Sequence, residues 1–275
     1  MLELRGIQKH YYPGTAHELC LFDHFDFTVG DQEFVTVVGS NGSGKTSLLN
    51  MICGSIPVDL GQIFLRGKDI TAMPEHRRLK FIGRVFQNPA MGTCSGMTLL
   101  ENLSLADNKG KPFGLKKGID AKRISRYREA LRELNLGLEE NLDIPVGALS
   151  GGQRQALALL MSTMTPIDFL ILDEHTAALD PGTAERIMEL TDKIVKEKGI
   201  TTIMVTHNLR YAVEYGTRLV MMHQGKVVMD RSDREKEQLK IDDILDKFNE
   251  ISMGYAKEQN LQKYCITHYS MIYLF

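Results

Sequence analysis

A glycine-rich stretch at residues 39–46, Gly-Ser-Asn-Gly-Ser-Gly-Lys-Thr, constrains the fold of this chain more than any other feature. It follows a β-branched, apolar run at residues 34–38 that predicts a buried strand, and it precedes residues 47–53, which predict the first turns of a helix. In that context the N–H groups of the loop and the positive end of the helix dipole point at one spot. The stretch therefore predicts a loop that binds phosphate.

The residue types in this loop suit a phosphorylated ligand. Gly39, Gly42 and Gly44 allow the backbone to curl so that successive N–H groups point inwards. Lys45 is long enough to reach the β- and γ-phosphates of a nucleotide, and the Thr46 hydroxyl can hold Mg²⁺. The alternative is a glycine-rich turn before an ordinary helix, and chance alone produces the four fixed positions in roughly one chain of this length in a hundred.

The composition is that of an ordinary globular protein. The 275 residues carry a formal net charge of -2, without the basic excess of a nucleic-acid surface, so we expect no nucleic-acid partner. No apolar run approaches the roughly 18 residues needed to span a bilayer, and the N-terminus does not predict an export signal. The four cysteines lie far apart, which is typical of reduced residues in the cytosol. We therefore expect a cytoplasmic protein.

Polar side chains directly follow several predicted buried strands. Apolar runs alternate with helical patterns along the chain, and this alternation predicts a parallel sheet with helices on both faces. Ligands bind such sheets at the carboxyl ends of the strands. The residues that follow strands are those of the glycine loop, Gln87, the pair Asp173-Glu174, and His207. Their convergence predicts one shared site.

Two further segments carry residues that suit a ligand. Residues 149–153, Leu-Ser-Gly-Gly-Gln, open an apolar helix, where two glycines disfavour helix formation unless backbone N–H groups must approach a ligand. Tyr11 and Tyr12 precede the glycine loop by some thirty residues. On local grounds a tyrosine there is either a packing residue of a hairpin or a platform for a base, and packing is favoured.

In this order and spacing, the motifs resemble those of the nucleotide-binding subunit of an ABC (ATP-binding cassette) transporter, over residues 1 to about 230. The matching segments are the Walker A loop at 39–46, Gln87 of the Q-loop, the LSGGQ signature at 149–153, Walker B and its glutamate at 169–174, the D-loop at 178–180, and the switch histidine His207. The resemblance implies an α/β fold: a P-loop NTPase (RecA-like) core with an antiparallel β subdomain and an inserted α-helical subdomain.

The resemblance also implies a domain organisation. We expect a single ABC ATPase domain at residues 1–253. Its core and β subdomain would occupy 1–87 and 165–232, its helical subdomain about 88–164, and its C-terminal helix 233–253. Residues 254–275 lie outside the resemblance, and we expect them to form a loosely ordered tail.

The ligands implied by the resemblance are ATP and Mg²⁺. Asp173 would hold Mg²⁺ through water, together with Thr46 and Gln87, and Glu174 would polarise the attacking water. The residues expected to act in catalysis are Glu174, His207, Gln87 and Lys45. The implied nucleotide contacts are Tyr11 under the adenine (with Tyr12 as the alternative), Gly39, Ser40, Asn41, Gly42, Ser43, Gly44, Lys45, Thr46, Ser47, Ser150, Gly151, Gly152, Gln153 and Asp180.

The implied partners are a second copy of the chain, transmembrane permease subunits and an extracytoplasmic substrate-binding protein. Two copies would bind two ATP molecules head to tail between them, with the chain on the inner face of the membrane. His175 stands where many relatives have proline, and Ala156 and Met161 where arginines are frequent. The combination of LSGGQRQALALLM at 149–161 with DEHTAALDP at 173–181 resembles cassettes that serve bacterial importers with a lipoprotein receptor of the aromatic-amino-acid type. An exporter subunit and an ABC ATPase without a transporter remain alternatives.

Overall fold

The computed structural model describes residues 1–112 and 118–253, so the tail expected at 254–275 lies outside the described residues. The strands are β1 (Leu2–Tyr11), β2 (Leu19–Val29), β3 (Phe34–Gly39), β4 (Leu60–Leu65), β5 (Lys68–Asp69), β6 (Ile82–Val85), β7 (Phe169–Asp173), β8 (Thr201–Val205), β9 (Arg218–His223) and β10 (Lys226–Ser232). The helices are α1 (Lys45–Cys53), α2 (Glu75–Arg78), α3 (Leu99–Asp107), α4 (Ile124–Arg132), α5 (Gly151–Thr163), α6 (Pro181–Lys198), α7 (Leu209–Glu214), α8 (Asp233–Glu237) and α9 at residues 241–253. Within the described ranges, no helix is long and apolar enough to cross a membrane.

A six-stranded sheet in the order β10-β9-β3-β8-β7-β6 forms the centre of the fold. The strands from β9 to β6 run parallel, and β10 pairs antiparallel with β9. β3 lies between β8 and β9, so Val37 pairs with Val205 on one side and with Val220 on the other. All six residues of β3 are consequently buried, which confirms the predicted buried strand before the glycine loop.

Helices cover both faces of this sheet, as the sequence predicts. Successive strand side chains point to opposite faces, and β7 shows the result. Ile171 packs in a core that includes α1 and strands of the second sheet. Leu170 and Leu172 pack in a separate core against α5, α6 and α7. Alternate side chains of β7 thus pack against α1 on one face of the sheet and against α5, α6 and α7 on the other.

The second sheet is antiparallel, with the order β2-β1-β4-β5. In β2, Phe25, Phe27 and Val29 are buried and the residues between them are exposed, so one face of this strand lies in the core. These side chains belong to the same core as α1. The antiparallel sheet thus packs on the helix that follows the glycine loop.

The elements that the structure describes between β6 and β7 are helical and have a core of their own, around Leu103, Tyr127, Leu131 and Leu157. A capping box is present at the start of α3, where the Thr98 side chain accepts from the N–H of Glu101 and the carboxylate of Glu101 accepts from the N–H of Thr98. Capping of this kind stabilises a helix by about 1 kcal/mol.

Candidate nucleotide-binding site

The glycine loop is held tightly between other parts of the fold. Gly42 and Gly44 have φ angles of 77° and 103°, in the region that favours glycine. A Cβ on Gly39 would lie 2.3 Å from the carbonyl oxygen of Met222, and one on Gly44 would lie 2.9 Å from the ring of Phe22. β9 and β2 thus press on the loop, and a larger residue at either glycine would displace it.

The loop lysine is already surrounded by oxygen atoms. Lys45 is 5% exposed, and its Nζ donates hydrogen bonds to the carbonyl oxygens of Gly39 at 2.7 Å and Ser40 at 3.0 Å. Burial lowers the pKa of Lys45, and the negative charges of Glu174 and Asp173 act in the opposite direction. Both carboxylates therefore lie within electrostatic reach of the lysine, which places the ends of the loop and of β7 at one site.

Two of the predicted catalytic side chains lie within hydrogen-bond distance of each other at the strand ends. Nε2 of His207 lies 2.8 Å from Oε1 of Glu174. Glu174 has a φ of 48°, which is strained for a residue with a side chain, and its N–H donates to the carbonyl oxygen of Val205 at 2.9 Å. Such strain is concentrated at functional sites, since the surrounding structure must hold it in place. The strained backbone directs the glutamate towards His207.

These groups line one cleft of about 330 Å³. Its walls are Tyr11, Tyr12, Leu19, Leu21, Asn41, Gly42, Ser43, Gly44, Lys45, Thr46, Ser47, Glu174 and His207. A cleft of a few hundred Å³ with a few convergent polar groups is typical of a small-molecule site. A larger groove, beside α8 and α9, is lined by none of the predicted site residues.

Both candidate tyrosines lie at this cleft. The Tyr11 hydroxyl donates to Oγ of Ser47 at 2.9 Å, and its ring is half-buried. Tyr12 is 69% exposed and also lines the cleft. The contact of Tyr11 with the first turn of α1 accounts for its packing role, and adenine stacking on Tyr11, with Tyr12 as the alternative, stays a prediction.

Gln87 and Asp173 are not among the described residues that line the cleft. Gln87 is exposed just beyond β6. Oδ2 of Asp173 accepts a hydrogen bond from Nη2 of Arg84 at 3.0 Å. The carboxylate predicted to hold Mg²⁺ is therefore paired with a basic side chain. Sequence reasoning missed Arg84, although an arginine inside the otherwise apolar run of β6 was the signal that could have found it.

The donor types fit Mg²⁺ bound largely through water. The described residues hold no group of three or more His, Cys, Asp or Glu side chains suited to a metal. Mg²⁺ keeps several waters and takes few protein carboxylates. The Thr46 hydroxyl in the cleft and the nearby carboxylate of Asp173 are therefore enough protein ligands for a Mg²⁺ ion that also binds nucleotide phosphates.

The signature segment is ordered by its own capping box. Ser150 Oγ accepts from the N–H of Gln153 at 3.2 Å, and Oε1 of Gln153 accepts from the N–H of Ser150 at 3.0 Å. A Cβ on Gly152 would lie 2.2 Å from Cγ2 of Thr183, so this glycine also serves packing of α5 on α6. No described residue that lines the cleft comes from this segment. Ser150 and Gly151 are exposed instead.

Asp180 caps the neighbouring helix α6. Its carboxylate accepts from the N–H of Thr183 at 3.0 Å, and hydrogen bonding to Thr183 lowers the pKa of Asp180. Thr183 therefore contacts both the predicted signature segment, through its methyl group, and the predicted D-loop aspartate, through its backbone. The two segments form one connected surface outside the cleft.

The turn between β9 and β10 is hydrogen-bonded to the glycine loop, a contact that the sequence did not indicate. The N–H of Gly225 donates to the carbonyl oxygen of Ser43 at 2.9 Å. A Cβ on Gly225 would lie 1.6 Å from the carbonyl oxygen of Leu21, so only glycine fits there. The contact of this Gln224-Gly225 turn with residues far along the chain has no local signature in the sequence.

Known proteins resemble the chain over most of its length. The ABC transporter family profile matches residues 22–177. The chain is 48% identical over 248 residues to the tyrosine transport ATP-binding protein of Clostridioides difficile (strain R20291), covering 90% of this chain and 98% of that protein. It is 35% identical over 237 residues to the spermidine/putrescine import ATP-binding protein PotA of Haemophilus influenzae (strain Rd), covering 86% of this chain and 59% of that protein.

Solved structures of ATP-binding cassettes have the same fold. The dimeric post-hydrolysis state of the cassette MJ0796, bound to ADP and Pi, matches with a TM-score of 0.72 and 27% identity over 85% of this chain and 99% of that chain. The ADP conformation of the cassette MJ1267 matches with a TM-score of 0.72 and 27% identity over 86% of this chain and 93% of that chain. The expected P-loop NTPase fold is confirmed. The chain belongs to the ABC transporter family, in which it is an ATP-binding subunit and an ATPase.

Proposed function

We propose that this chain hydrolyses Mg²⁺-ATP in the cleft at the strand ends to power the import of a small solute, an amino acid of the aromatic class. The observation that carries the proposal is the pairing of Glu174 with His207 on the wall of the cleft that also holds Lys45. A carboxylate held by a histidine next to a phosphate loop is suited to orient water for attack on a phosphoryl group.

The residues of the cleft divide the work. Lys45 exchanges its carbonyl partners for phosphate oxygens, because an ammonium prefers charged acceptors. The loop N–H groups hold the remaining oxygens. Thr46 in the cleft would hold Mg²⁺ together with Asp173 and Gln87, which lie outside the cleft lining. The metal ion would neutralise charge that develops on the phosphates. Glu174 orients the attacking water, and His207 keeps the carboxylate in place.

A second copy of the chain completes the site. The exposed signature segment, residues 150–153, would meet the γ-phosphate of the partner chain, with Asp180 beside it in the interface. This arrangement is supported by the position of the segment outside its own cleft and by the dimeric cassette MJ0796. Hydrolysis then requires closure of the dimer, and product release requires its opening.

Import is favoured over export by the relatives. The Clostridioides difficile relative is named for tyrosine transport, and PotA and the methionine protein MetN of Corynebacterium glutamicum are named for import. We propose that permease subunits hold the chain at the inner face of the membrane. An extracytoplasmic binding protein would deliver the solute to them.

Uptake into vesicles tests the direction and the solute class. The chain would be reconstituted with the permease encoded beside its gene, and uptake of labelled tyrosine would be followed with ATP on the chain's side and the binding protein on the other. We expect ATP-dependent uptake that the Glu174→Gln variant abolishes. ATP-driven movement in the opposite direction, or no movement of any aromatic amino acid, would contradict the proposal.

A further inference from the structure

Among the described residues, Arg84 is the basic side chain that forms an ion pair with Asp173, the carboxylate predicted to hold the metal ion. Its side chain is 8% exposed, and that of Asp173 is 14% exposed. Arg84 pairs with Ile171 in the ladder between β6 and β7, so its side chain reaches two residues along the neighbouring strand to Asp173. Among the described residues, Asp173 is the only carboxylate within ion-pair distance of Arg84.

The contact between Arg84 and Asp173 uses only part of the guanidinium. Nη2 makes one hydrogen bond to Oδ2, and the buried Nε has no hydrogen-bond partner among the described residues. Arginine–carboxylate pairs are strongest when two parallel hydrogen bonds form. This single-point pair is therefore easier to exchange for another cation than a bidentate pair.

The guanidinium has other neighbours that hold it in place. Its central carbon lies 4.6 Å from the centre of the Phe86 ring, a distance typical of a cation–π contact. The Cys53 thiol also lies nearby: burial raises its pKa to about 11, and Arg84 opposes that rise. The thiol is thus neutral near pH 7 and provides no negative charge. Arg84 can keep these contacts when Asp173 turns to another partner.

We propose that Arg84 is the resident counter-ion of Asp173, which pairs with the carboxylate while nucleotide is absent and yields it to Mg²⁺ when Mg²⁺-ATP binds. Arg84 thereby sets the Mg²⁺ concentration at which the chain binds nucleotide. The inference rests on the proposed function, in which Asp173 holds Mg²⁺. Arg84 touches neither nucleotide nor water in this account, so it is a positioning residue.

The physical reason is that one shielded carboxylate cannot satisfy two cations equally. Without nucleotide, an unpaired carboxylate at this depth would be unfavourable, and Arg84 compensates it. When Mg²⁺ arrives, the guanidinium competes for the same oxygen atoms and its positive charge repels the metal ion. Removing Arg84 should therefore destabilise the nucleotide-free chain. It should also lower the Mg²⁺ concentration that nucleotide binding requires.

The test compares Arg84→Met with Arg84→Lys, which keeps the charge. All variants carry Glu174→Gln, so that a fluorescent ATP analogue binds without turnover while MgCl₂ is titrated. For Arg84→Met we expect the half-saturating Mg²⁺ concentration to fall about fivefold to tenfold. Arg84→Lys should stay near the parent, and so should Arg66→Met, which breaks the exposed pair between Arg66 and Asp168.

Thermal unfolding separates this role from plain packing. In EDTA without nucleotide, the melting temperature of Arg84→Met should be lower than that of the parent. Saturating Mg²⁺-ATP should reduce the difference between the two melting temperatures. A packing role alone would lower both melting temperatures equally and leave the Mg²⁺ titration unchanged, and that result would overturn the inference. If Arg84→Met does not fold by circular dichroism, Arg84→Gln replaces it with the same expectations.

The control without the Arg84 change separates the two proposals. If that control needs Mg²⁺ and Arg84→Met needs the same concentration, the inference fails and the proposed site stands. If the control binds the analogue equally well with and without Mg²⁺, the metal role of Asp173 fails, and the inference falls with it.

Discussion

Nε2 of His207 lies 2.8 Å from Oε1 of Glu174, and the two residues follow neighbouring parallel strands. The register of β7 and β8 pairs Asp173 with Val205, so each side chain emerges just beyond the same rung of the sheet. The N–H of Glu174 is bonded to the carbonyl oxygen of Val205, which fixes the height of the carboxylate. The sheet edge thus brings together two side chains that are 33 positions apart in the sequence, and both belong to the predicted catalytic set.

Replacing the loop lysine should weaken nucleotide binding itself. Lys45→Ala removes the side-chain ammonium that the loop directs into the cleft, and charge-assisted hydrogen bonds to phosphate are worth enough to weaken affinity about tenfold to a hundredfold. Titration with a fluorescent ATP analogue measures the loss. The exposed Lys196→Ala on α6 is the matched control. Unchanged affinity in Lys45→Ala would mean that residues 39–46 do not hold the phosphates.

Mixing two inactive variants should restore activity if two chains share each site. Ser150→Arg puts bulk and charge where the partner's γ-phosphate would lie, and Lys45→Ala disables the loop. A mixed dimer has one site with both an intact loop and an intact signature, so phosphate release should recover in part. Ser150→Ala controls for the lost helix cap, which costs about 1 kcal/mol. No recovery in a mixture shown to contain mixed dimers would mean that each chain acts alone.

Acid should destabilise the fold through His175. This residue is buried beside Thr191, with Nε2 3.1 Å from Oγ1, and burial lowers its pKa from 6.5 to about 4. As the pH falls from 6.5 towards 4, His175 becomes protonated in the unfolded chain but stays neutral in the folded chain. The free energy of unfolding therefore falls. Between pH 7 and pH 5 the loss should be roughly 2 kcal/mol.

Urea unfolding at the two pH values measures the contribution of His175. The variant His175→Gln should lose less stability than the parent over this interval, whereas the exposed His76→Gln should follow the parent. An equal loss in His175→Gln and the parent would show that the acid sensitivity arises elsewhere.

Local patterns in the sequence predicted the elements that position the site. The buried strand before the loop, the helix that follows the loop, and the apolar helix that the signature segment opens all appear where their residues indicate. Each depends on residues a few positions apart, and such interactions leave a periodic or capping signature.

Contacts between distant residues could not be predicted in the same way. The pair of Arg84 with Asp173 depends on the order and register of two strands. Arg78 stands beside Arg77 in a basic stretch of the sequence, yet it is 3% exposed and donates to the carbonyl oxygen of Met51 near the end of α1. The sequence around an arginine does not identify the group that its side chain contacts, because the packing of whole helices and strands determines which groups lie within its range.

Phosphate release by Glu174→Gln tests the central claim most directly. Glutamine keeps the shape of the side chain but lacks the charge that orients water, so hydrolysis should fall about a hundredfold or more. Binding of the fluorescent ATP analogue should persist, and light scattering should show a stable dimer with ATP. The control is Glu197→Gln on the exposed face of α6, with hydrolysis at the parent rate. Turnover by Glu174→Gln at the parent rate, with binding intact, would contradict the account.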